Sequence, residues 1–402
     1  MQDTIRGLIQ KNGSKIILLV LDGLGGLPLN GKTELETAAT PNLDKLASEG
    51  ACGLHIPVGQ GITPGSGPGH LGLFGYDPLE WEIGRGILEA MGLGLEVKRT
   101  DVAVRCNYAT IENGIIKDRR AGRPPTEKTA KLTQLLAKQI QEIDGVKFIF
   151  GAGMEHRFAV VMRFPDALGP DAAKVNDSDP QHEGKPPLPL LPGGKKAEKV
   201  AAVSEKFIAR AAEILKDHAP ANFVMMRGFS THPHMPSFED AYGLRPLAVA
   251  SYPMYRGISR LLDMDAPDIE GGFDRQVDYL ESRYRDFDYF FLHFKKTDSM
   301  GEDGDFAGKV KKIEEADSFI PRLLALKPDV LIVTGDHATP AVMKGHSWHP
   351  VPLMLKAPYV LGRTCSRFTE RECLKGELGI IKTASIMPLA LAQGGRLKKF
   401  GA

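Results

Sequence analysis

Residues able to bind cations or attack electrophiles recur beside glycines and at the ends of apolar runs. They are Asp22 in Leu-Asp-Gly-Leu-Gly, Ser66 and His70 in Gly-Ser-Gly-Pro-Gly-His-Leu, Asp298 in Lys-Lys-Thr-Asp, the pair Asp336-His337, and His346 in Gly-His-Ser-Trp-His. Singly, each has a bland reading: an Asp-Gly turn, a capping aspartate beside a surface histidine, a loop serine. Jointly, aspartates and histidines at strand ends offer hard oxygens and imidazoles to divalent ions such as Mn²⁺ or Zn²⁺. A serine flanked by glycines can present its hydroxyl on a sharp turn, where a cation would lower its pKa enough to make a nucleophile. Phosphoryl transfer is the natural use of that set, with two metals about 4 Å apart clamping nucleophile and phosphoryl oxygens.

A cationic set lies between these residues in the chain: Arg119, Arg120 and Arg123 in Asp-Arg-Arg-Ala-Gly-Arg, Arg157 after His156, and Arg227 in the wake of an apolar run. A solvated charge run is one reading. Planar guanidinium forks also suit phosphate and carboxylate together, which makes these residues candidates for substrate anions.

The elements that must position them can be read from patterning. Ile16 to Leu21 is continuously apolar and closes on Asp22-Gly23, as a parallel strand buried on both faces does. Tyr289 to Phe294 and Val330 to Val333 read alike and run toward Asp298 and Asp336-His337. Ligands gather at the carboxyl ends of strands in open α/β sheets, so the chemistry is expected on one edge. Thr40-Pro41 opens a helix with Leu43, Leu46 and Ala47 on its apolar stripe. A second helix after Thr126 carries Leu132, Leu135, Leu136, Ile140 and Ile143, and a third carries Val200, Val203, Phe207, Ile208 and Ala211. With the runs Phe158 to Phe164 and Asn222 to Met226 and a Pro/Gly/Lys-rich loop from Gly184 to Lys196, these describe an α+β unit. Metal-type residues flank this middle third, so the expected architecture is an insertion: 1–98 and 238–402 form one domain, 99–237 the inserted one.

Composition bounds the partners. The 402 residues carry 51 Lys+Arg against 50 Asp+Glu, a balance that argues against nucleic-acid or anionic-membrane binding. Gly and Pro together fall short of a low-complexity chain. The four cysteines show no C-x-x-C spacing, which fits a reducing compartment better than a disulfide framework. The six-residue run from Ile16 follows no basic leader, so a cytoplasmic protein without a membrane span is expected, and a homo-oligomer is compatible with the sequence.

The ordered blocks LDGLGG, TPNLDKLASEG at 40 to 50, GSGPGHLGLFGYDP at 65 to 78, GRGILEAMGLGL at 84 to 95, IIKDRRAGR at 115 to 123, HFKKTD at 293 to 298, TGDHATPAVMKGHS at 334 to 347 and the terminal KKFGA resemble one family across nearly the whole chain. It is the archaeal-type, cofactor-independent phosphoglycerate mutases of the alkaline phosphatase superfamily. The resemblance implies an α/β fold, an alkaline-phosphatase-like doubly wound sheet domain with an inserted α+β substrate domain. It implies an isomerase of glycolysis and gluconeogenesis that interconverts 3-phosphoglycerate and 2-phosphoglycerate without 2,3-bisphosphoglycerate. By this resemblance Ser66 matches the nucleophile; Asp22, Ser66, Asp336 and His337 match the ligands of one metal, and Asp298 and His346 those of the other. Arg119, Arg120, Arg123, His156, Arg157 and Arg227 would bind the substrate.

One position departs from the family pattern T-D-x-x-G-H: this chain reads Thr297-Asp298-Ser299-Met300-Gly301-Glu302, placing Glu302 where a third ligand of the second metal is expected. A carboxylate is a competent donor, and four-residue spacing puts Asp298 and Glu302 on one helical face, with His349 near enough in sequence to compensate. The oxygen-rich set favours Mn²⁺, with Zn²⁺, Co²⁺ and Mg²⁺ as alternatives. The implied mechanism passes through a phosphoserine at Ser66 while glycerate stays bound and reorients. Closure of the inserted domain about linkers near 98 and 238 would exclude water. The alternatives are a metal-dependent phosphomonoester hydrolase of the same superfamily and a non-catalytic metal- or metabolite-binding paralogue.

Overall fold

The computed structural model describes residues 2–81, 83–233 and 235–401; Ala402, the last residue of the KKFGA block, lies outside them. Strands β1 (Ile16–Leu21) and β2 (Ala51–Ile56) precede an inner series, β3 (Asp101–Glu112), β4 (Ile115–Asp118), β5 (Glu142–Ile143), β6 (Val146–Ala152), β7 (Arg157–Arg163) and β8 (Phe223–Thr231). After it come β9 (Pro246–Val249), β10 (Tyr289–Phe294), β11 (Val330–Thr334), β12 (Val351–Lys356) and β13 (Gly379–Lys382). The chain divides into an outer unit, Met1–Glu82 with Met235–Ala402, and an inner unit, Ile83–His234.

The outer unit is built on a seven-stranded sheet of order β13-β2-β12-β11-β1-β10-β9. β1 pairs in parallel with both β10 and β11, and Leu21 lies opposite Phe294 while Val20 lies opposite Thr334. The three strands therefore end on the same edge. β12 runs antiparallel to β11 and β2, so Val351 and His55 are partners and β2 also finishes there. All residues of β1, β10 and β11 are buried, which is why their sequences are apolar without alternation.

The inner unit centres on the long strand β3, flanked by β7 on one side and β8 on the other. Val102, Val104, Cys106 and Tyr108 turn to a core shared with Leu132 and Leu136 of helix Thr126–Gln139 and with Val200, Val203, Phe207 and Ala211 of helix Glu198–Leu215. Period-two alternation sends Ala103, Arg105 and Asn107 to the opposite face. Helix Arg85–Gly92 lies there, close enough that a Cβ on Gly86 would sit 2.1 Å from the Ala103 carbonyl oxygen. That packing places 83–98 with the inner unit, so the division falls at 82/83 and 234/235 rather than at the 98/99 and 237/238 read from sequence. Ile143 likewise leaves the helical stripe: the helix stops at Gln139, and Ile143 belongs to β5, joined to β6 through Asp144 and Gly145 at positive φ.

Candidate active site

Asp22 follows β1, Asp298 lies in helix Lys296–Asp303 after β10, and Asp336 and His337 follow β11. Ser66 is the first residue of helix Ser66–Leu73, reached from the end of β2. This helix crosses the Asp336 loop so closely that a Cβ on Gly69 would lie 2.5 Å from the Asp336 carbonyl oxygen, which explains a glycine there. Ser66 Oγ is 3.2 Å from His337 Nε2. His337 Nε2 is 3.5 Å from Asp22 Oδ1 and 3.2 Å from Asp336 Oδ2. His346 Nε2 is 3.6 Å from Asp298 Oδ1, and the His337 and His346 rings stack at 3.7 Å.

Hydrogen bonds fix which nitrogen of each ring is free. Thr339 Oγ1 donates to Asp298 Oδ1 at 2.6 Å, so it must accept from His337 Nδ1 at 3.0 Å. His346 Nδ1 donates to the Pro64 carbonyl at 2.9 Å, and His70 Nδ1 donates to the Ser66 carbonyl at 2.8 Å. His337 and His346 thus both turn unprotonated Nε2 atoms toward the carboxylates, as metal-binding imidazoles held from behind do. Buried Asp22 Oδ1 and Asp336 Oδ2 accept no hydrogen bond. Two groups of donor atoms, Asp22/Asp336/His337 and Asp298/His337/His346, each lie within 4.8 Å of one another. Oxygen and imidazole donors with orphaned buried oxygens between them fit divalent cations.

The electrostatics agree. Burial pushes Asp336 well above the usual carboxylate range, reinforced by the charge of Asp22. Burial acts the same way on Asp22, but His293, Lys295 and His337 outweigh it and hold that carboxyl low. Burial depresses His337 well below the ordinary imidazole value. Two carboxylates that cannot both ionise comfortably are what a cation would relieve.

Glu302 sits at the margin. Its Oε1 is 3.6 Å from His346 Nε2, its side chain is 54% exposed, and it belongs to neither tight donor group. Burial and the nearby charge of Asp298 raise its pKa. His349 directs Nδ1 to Ser347 Oγ within its own loop and joins neither group. Sequence reasoning missed four neighbours. Lys295 Nζ bridges Asp298 Oδ2 at 2.5 Å and Asp22 Oδ2 at 3.1 Å. His293 Nε2 is 3.2 Å from Asp22 Oδ2, Tyr255 donates to the same oxygen at 2.5 Å, and Thr339 is the bridge described above. His293 and Lys295 stood in the HFKKTD block and could have been taken with Asp298, whereas nothing around Tyr255 marked it.

The inner unit holds a separate feature, a cavity of about 220 Å³ lined by Arg105, Asn107, Arg119, Arg120, Arg123, Glu155, His156, Arg157 and Arg227. Every inner-unit residue proposed from sequence lines it. Strand register builds it: Arg157 lies opposite Asn107, and Arg227 opposite Arg105, both on the face turned away from the helical core. Like charges placed directly across strands are destabilising, so such a platform is expected where an anion is to be held. Arg119 is already engaged, forking onto Asp179 at 2.8 and 2.7 Å, and Arg227 reaches the same carboxylate at 3.0 Å. Among the described residues the side chains of Arg120, Arg123 and Arg157 have no carboxylate partner. Ala121, Arg123 and Glu155 adopt left-handed backbone conformations, with φ of 47°, 50° and 52°, a strain often found at ligand clamps. His156 is lowered to about 4 by burial and the adjacent Arg157, so it is neutral.

Comparison with known proteins points one way. The profile of the family described as 2,3-bisphosphoglycerate-independent phosphoglycerate mutase matches residues 47–222. A protein of Aquifex aeolicus named "Probable 2,3-bisphosphoglycerate-independent phosphoglycerate mutase" is 58% identical over 406 residues, covering 100% of both chains. A protein of the same name from Thermotoga neapolitana is 50% identical over 401 residues, covering 100% of this chain and 99% of that one. Among solved structures, the cofactor-independent phosphoglycerate mutase from Thermoplasma acidophilum superposes with a TM-score of 0.80 at 31% identity, covering 95% of this chain and 100% of that one. At these identities and coverages the chain belongs to the 2,3-bisphosphoglycerate-independent phosphoglycerate mutase family.

Proposed function

We propose that this protein interconverts 3-phosphoglycerate and 2-phosphoglycerate through a phosphoserine at Ser66, without 2,3-bisphosphoglycerate, as a step of glycolysis and gluconeogenesis in the cytoplasm. The observation that carries the reading is the placement of Ser66 Oγ, 3.2 Å from His337 Nε2, at a helix N-terminus beside two clusters of cation-type donors. Two divalent ions, Mn²⁺ by the oxygen-rich chemistry of the donors, would be held by Asp22, Ser66, Asp336 and His337 and by Asp298, His346 and Glu302, lowering the Ser66 pKa and neutralising phosphoryl charge. Ser66 gives up its hydroxyl proton as Oγ attacks phosphorus, and the bond to the departing glycerate oxygen breaks, that oxygen taking up one proton so that none is gained or lost overall. The second glycerate hydroxyl then attacks the phosphoserine, releases its own proton and restores Ser66. The amides opening helix Ser66–Leu73 favour anionic phosphoryl oxygens there. Arg120, Arg123 and Arg157 hold carboxylate and phosphate, while Arg119 and Arg227, committed to Asp179, shape the platform. No helix among the described residues is long and apolar enough to cross a bilayer.

The test is an enolase-coupled assay on the purified protein with Mn²⁺ added and 2,3-bisphosphoglycerate omitted. We expect turnover that Ser66→Ala abolishes without loss of folding, and one phosphoryl group on Ser66 in the wild type after a substrate quench. Release of inorganic phosphate without 2-phosphoglycerate would assign the hydrolase alternative, and Ser66→Ala within tenfold of wild type would refute the nucleophile.

A further inference from the structure

We propose that Asn107 is the specificity-determining residue that reads the free hydroxyl of the substrate in the arginine-lined cavity, an inference that rests on phosphoglycerate as the substrate. The cavity is chemically lopsided. Its six arginines offer only donors, and Arg120, Arg123 and Arg157, the three without a carboxylate partner among the described residues, suit the two anionic ends of a phosphorylated acid. A phosphoglycerate also carries a neutral hydroxyl, which has a proton to give and needs an acceptor. Among the described lining residues three side chains can accept a hydrogen bond: the Glu155 carboxylate, 44% exposed, the neutral His156 ring, and Asn107, the one carboxamide of the set. Asn107 is 5% exposed, and its Oδ1 is buried with no hydrogen-bond donor.

Position supports the role. Asn107 sits on β3 two residues from Arg105 and directly across from Arg157 in β7, so its side chain stands among the guanidinium groups on the cavity face. Neighbouring β3 residues that need no ligand are apolar and packed, as Cys106 and Tyr108 are on the reverse face. A buried amide left unpaired in the free protein gains a partner when a hydroxyl arrives, so its interaction is expected to favour hydroxylated ligands over those lacking the group. Rotation of the amide plane lets one side chain accept from a hydroxyl or donate to its oxygen. Both phosphoglycerate isomers have one free hydroxyl, so a bifunctional reader serves both.

The test is calorimetric binding to full-length Mn²⁺-loaded protein in a Ser66→Ala background, where ligand is not converted. The two probes are 3-phosphoglycerate and 3-phosphonooxypropanoate, which is identical except for the missing hydroxyl. With Asn107 present, the hydroxylated probe should bind roughly tenfold more tightly. Asn107→Leu should cut that ratio below threefold by weakening 3-phosphoglycerate alone, leaving the deoxy probe within twofold. Asn107→Ser, smaller but still able to bond a hydroxyl, should restore part of the ratio and stands in if the leucine variant does not fold. A ratio unchanged by either variant, or no preference with Asn107 present, would overturn the inference and leave the substrate assignment standing. Failure of both probes to bind would overturn the assignment itself, and the inference with it.

Discussion

Lys309→Met should destabilise the outer unit by about 3–5 kcal/mol, the range for removing one partner of a buried ion pair. Lys309 is fully buried. Its Nζ donates to the carbonyl oxygens of Gly25 at 3.0 Å and Thr339 at 2.8 Å, and Glu34 Oε1 is 3.9 Å away. Methionine preserves length and volume, so the packing term stays small. What is lost is the charge opposite Glu34, itself fully buried with Oε2 unpartnered. Gly25 lies three residues after Asp22, and Thr339 contacts both Asp298 and His337, so the ammonium ties together two loops that carry the cation-type donors. Mn²⁺ affinity should therefore fall along with stability. The assay is a urea titration of metal-free protein followed by circular dichroism, with Mn²⁺ binding measured separately. Adding Glu34→Gln should recover part of the loss, since it removes the stranded charge. A destabilisation under about 1 kcal/mol with unchanged Mn²⁺ affinity would refute the reasoning, because a buried ion-pair partner cannot be that cheap to remove.

Other outcomes follow from the same geometry. Arg123→Ala should raise KM with the melting temperature unchanged, whereas Arg119→Ala should lower the melting temperature as well, because buried Asp179 loses its two-pronged partner and keeps only Arg227 and the Gln181 amide; equal behaviour in steady-state kinetics and thermal melts would contradict the division. Glu302→Gln should lose occupancy of one of two ions at limiting Mn²⁺ by elemental analysis, and two ions per chain at the wild-type rate would place the ligand elsewhere. Burial raises Glu370 to about 7, so the folded state holds a proton that the unfolded chain has released above its ordinary value of 4.5. Stability is therefore lost as pH rises from about 4.5 to about 7. Glu370→Gln should raise the urea midpoint more at pH 8 than at pH 5, and equal shifts at both would count against it.

Much of this was legible because the physics was local. β1, β10 and β11 are buried on both faces and so leave continuous apolar runs, and the residues just beyond them are the ones gathered at the candidate site. The four-residue spacing of Asp298 and Glu302 does put both on one helical face, within helix Lys296–Asp303. Apolar spacing continues past Gln139 and so carries Ile143 into the helical stripe, although Asp144-Gly145 is a hairpin signal. β3 is a strand that periodicity alone could have marked, since its alternation of Val102, Val104 and Cys106 with Ala103, Arg105 and Asn107 is that of a strand whose second face has polar work. Tyr255 and Lys309 were beyond reach, since their roles exist only once segments more than 200 residues apart are folded together.

The order of strands in the outer sheet also dictates a timetable for synthesis. Among the described residues β2, which delivers the chain to Ser66, pairs only with β12 and β13, and neither exists until translation has passed residue 350. β1 must likewise wait for β10 and β11. The inner unit is contiguous and complete by residue 234. The ribosome thus releases a nearly finished arginine-lined module while β2, the strand that leads to Ser66, is still unpaired and awaiting β12 some 300 residues downstream. Production of this protein should accordingly depend on what shelters β1 and β2 during that interval, and truncation anywhere before β12 should leave an aggregating chain rather than a partly active one.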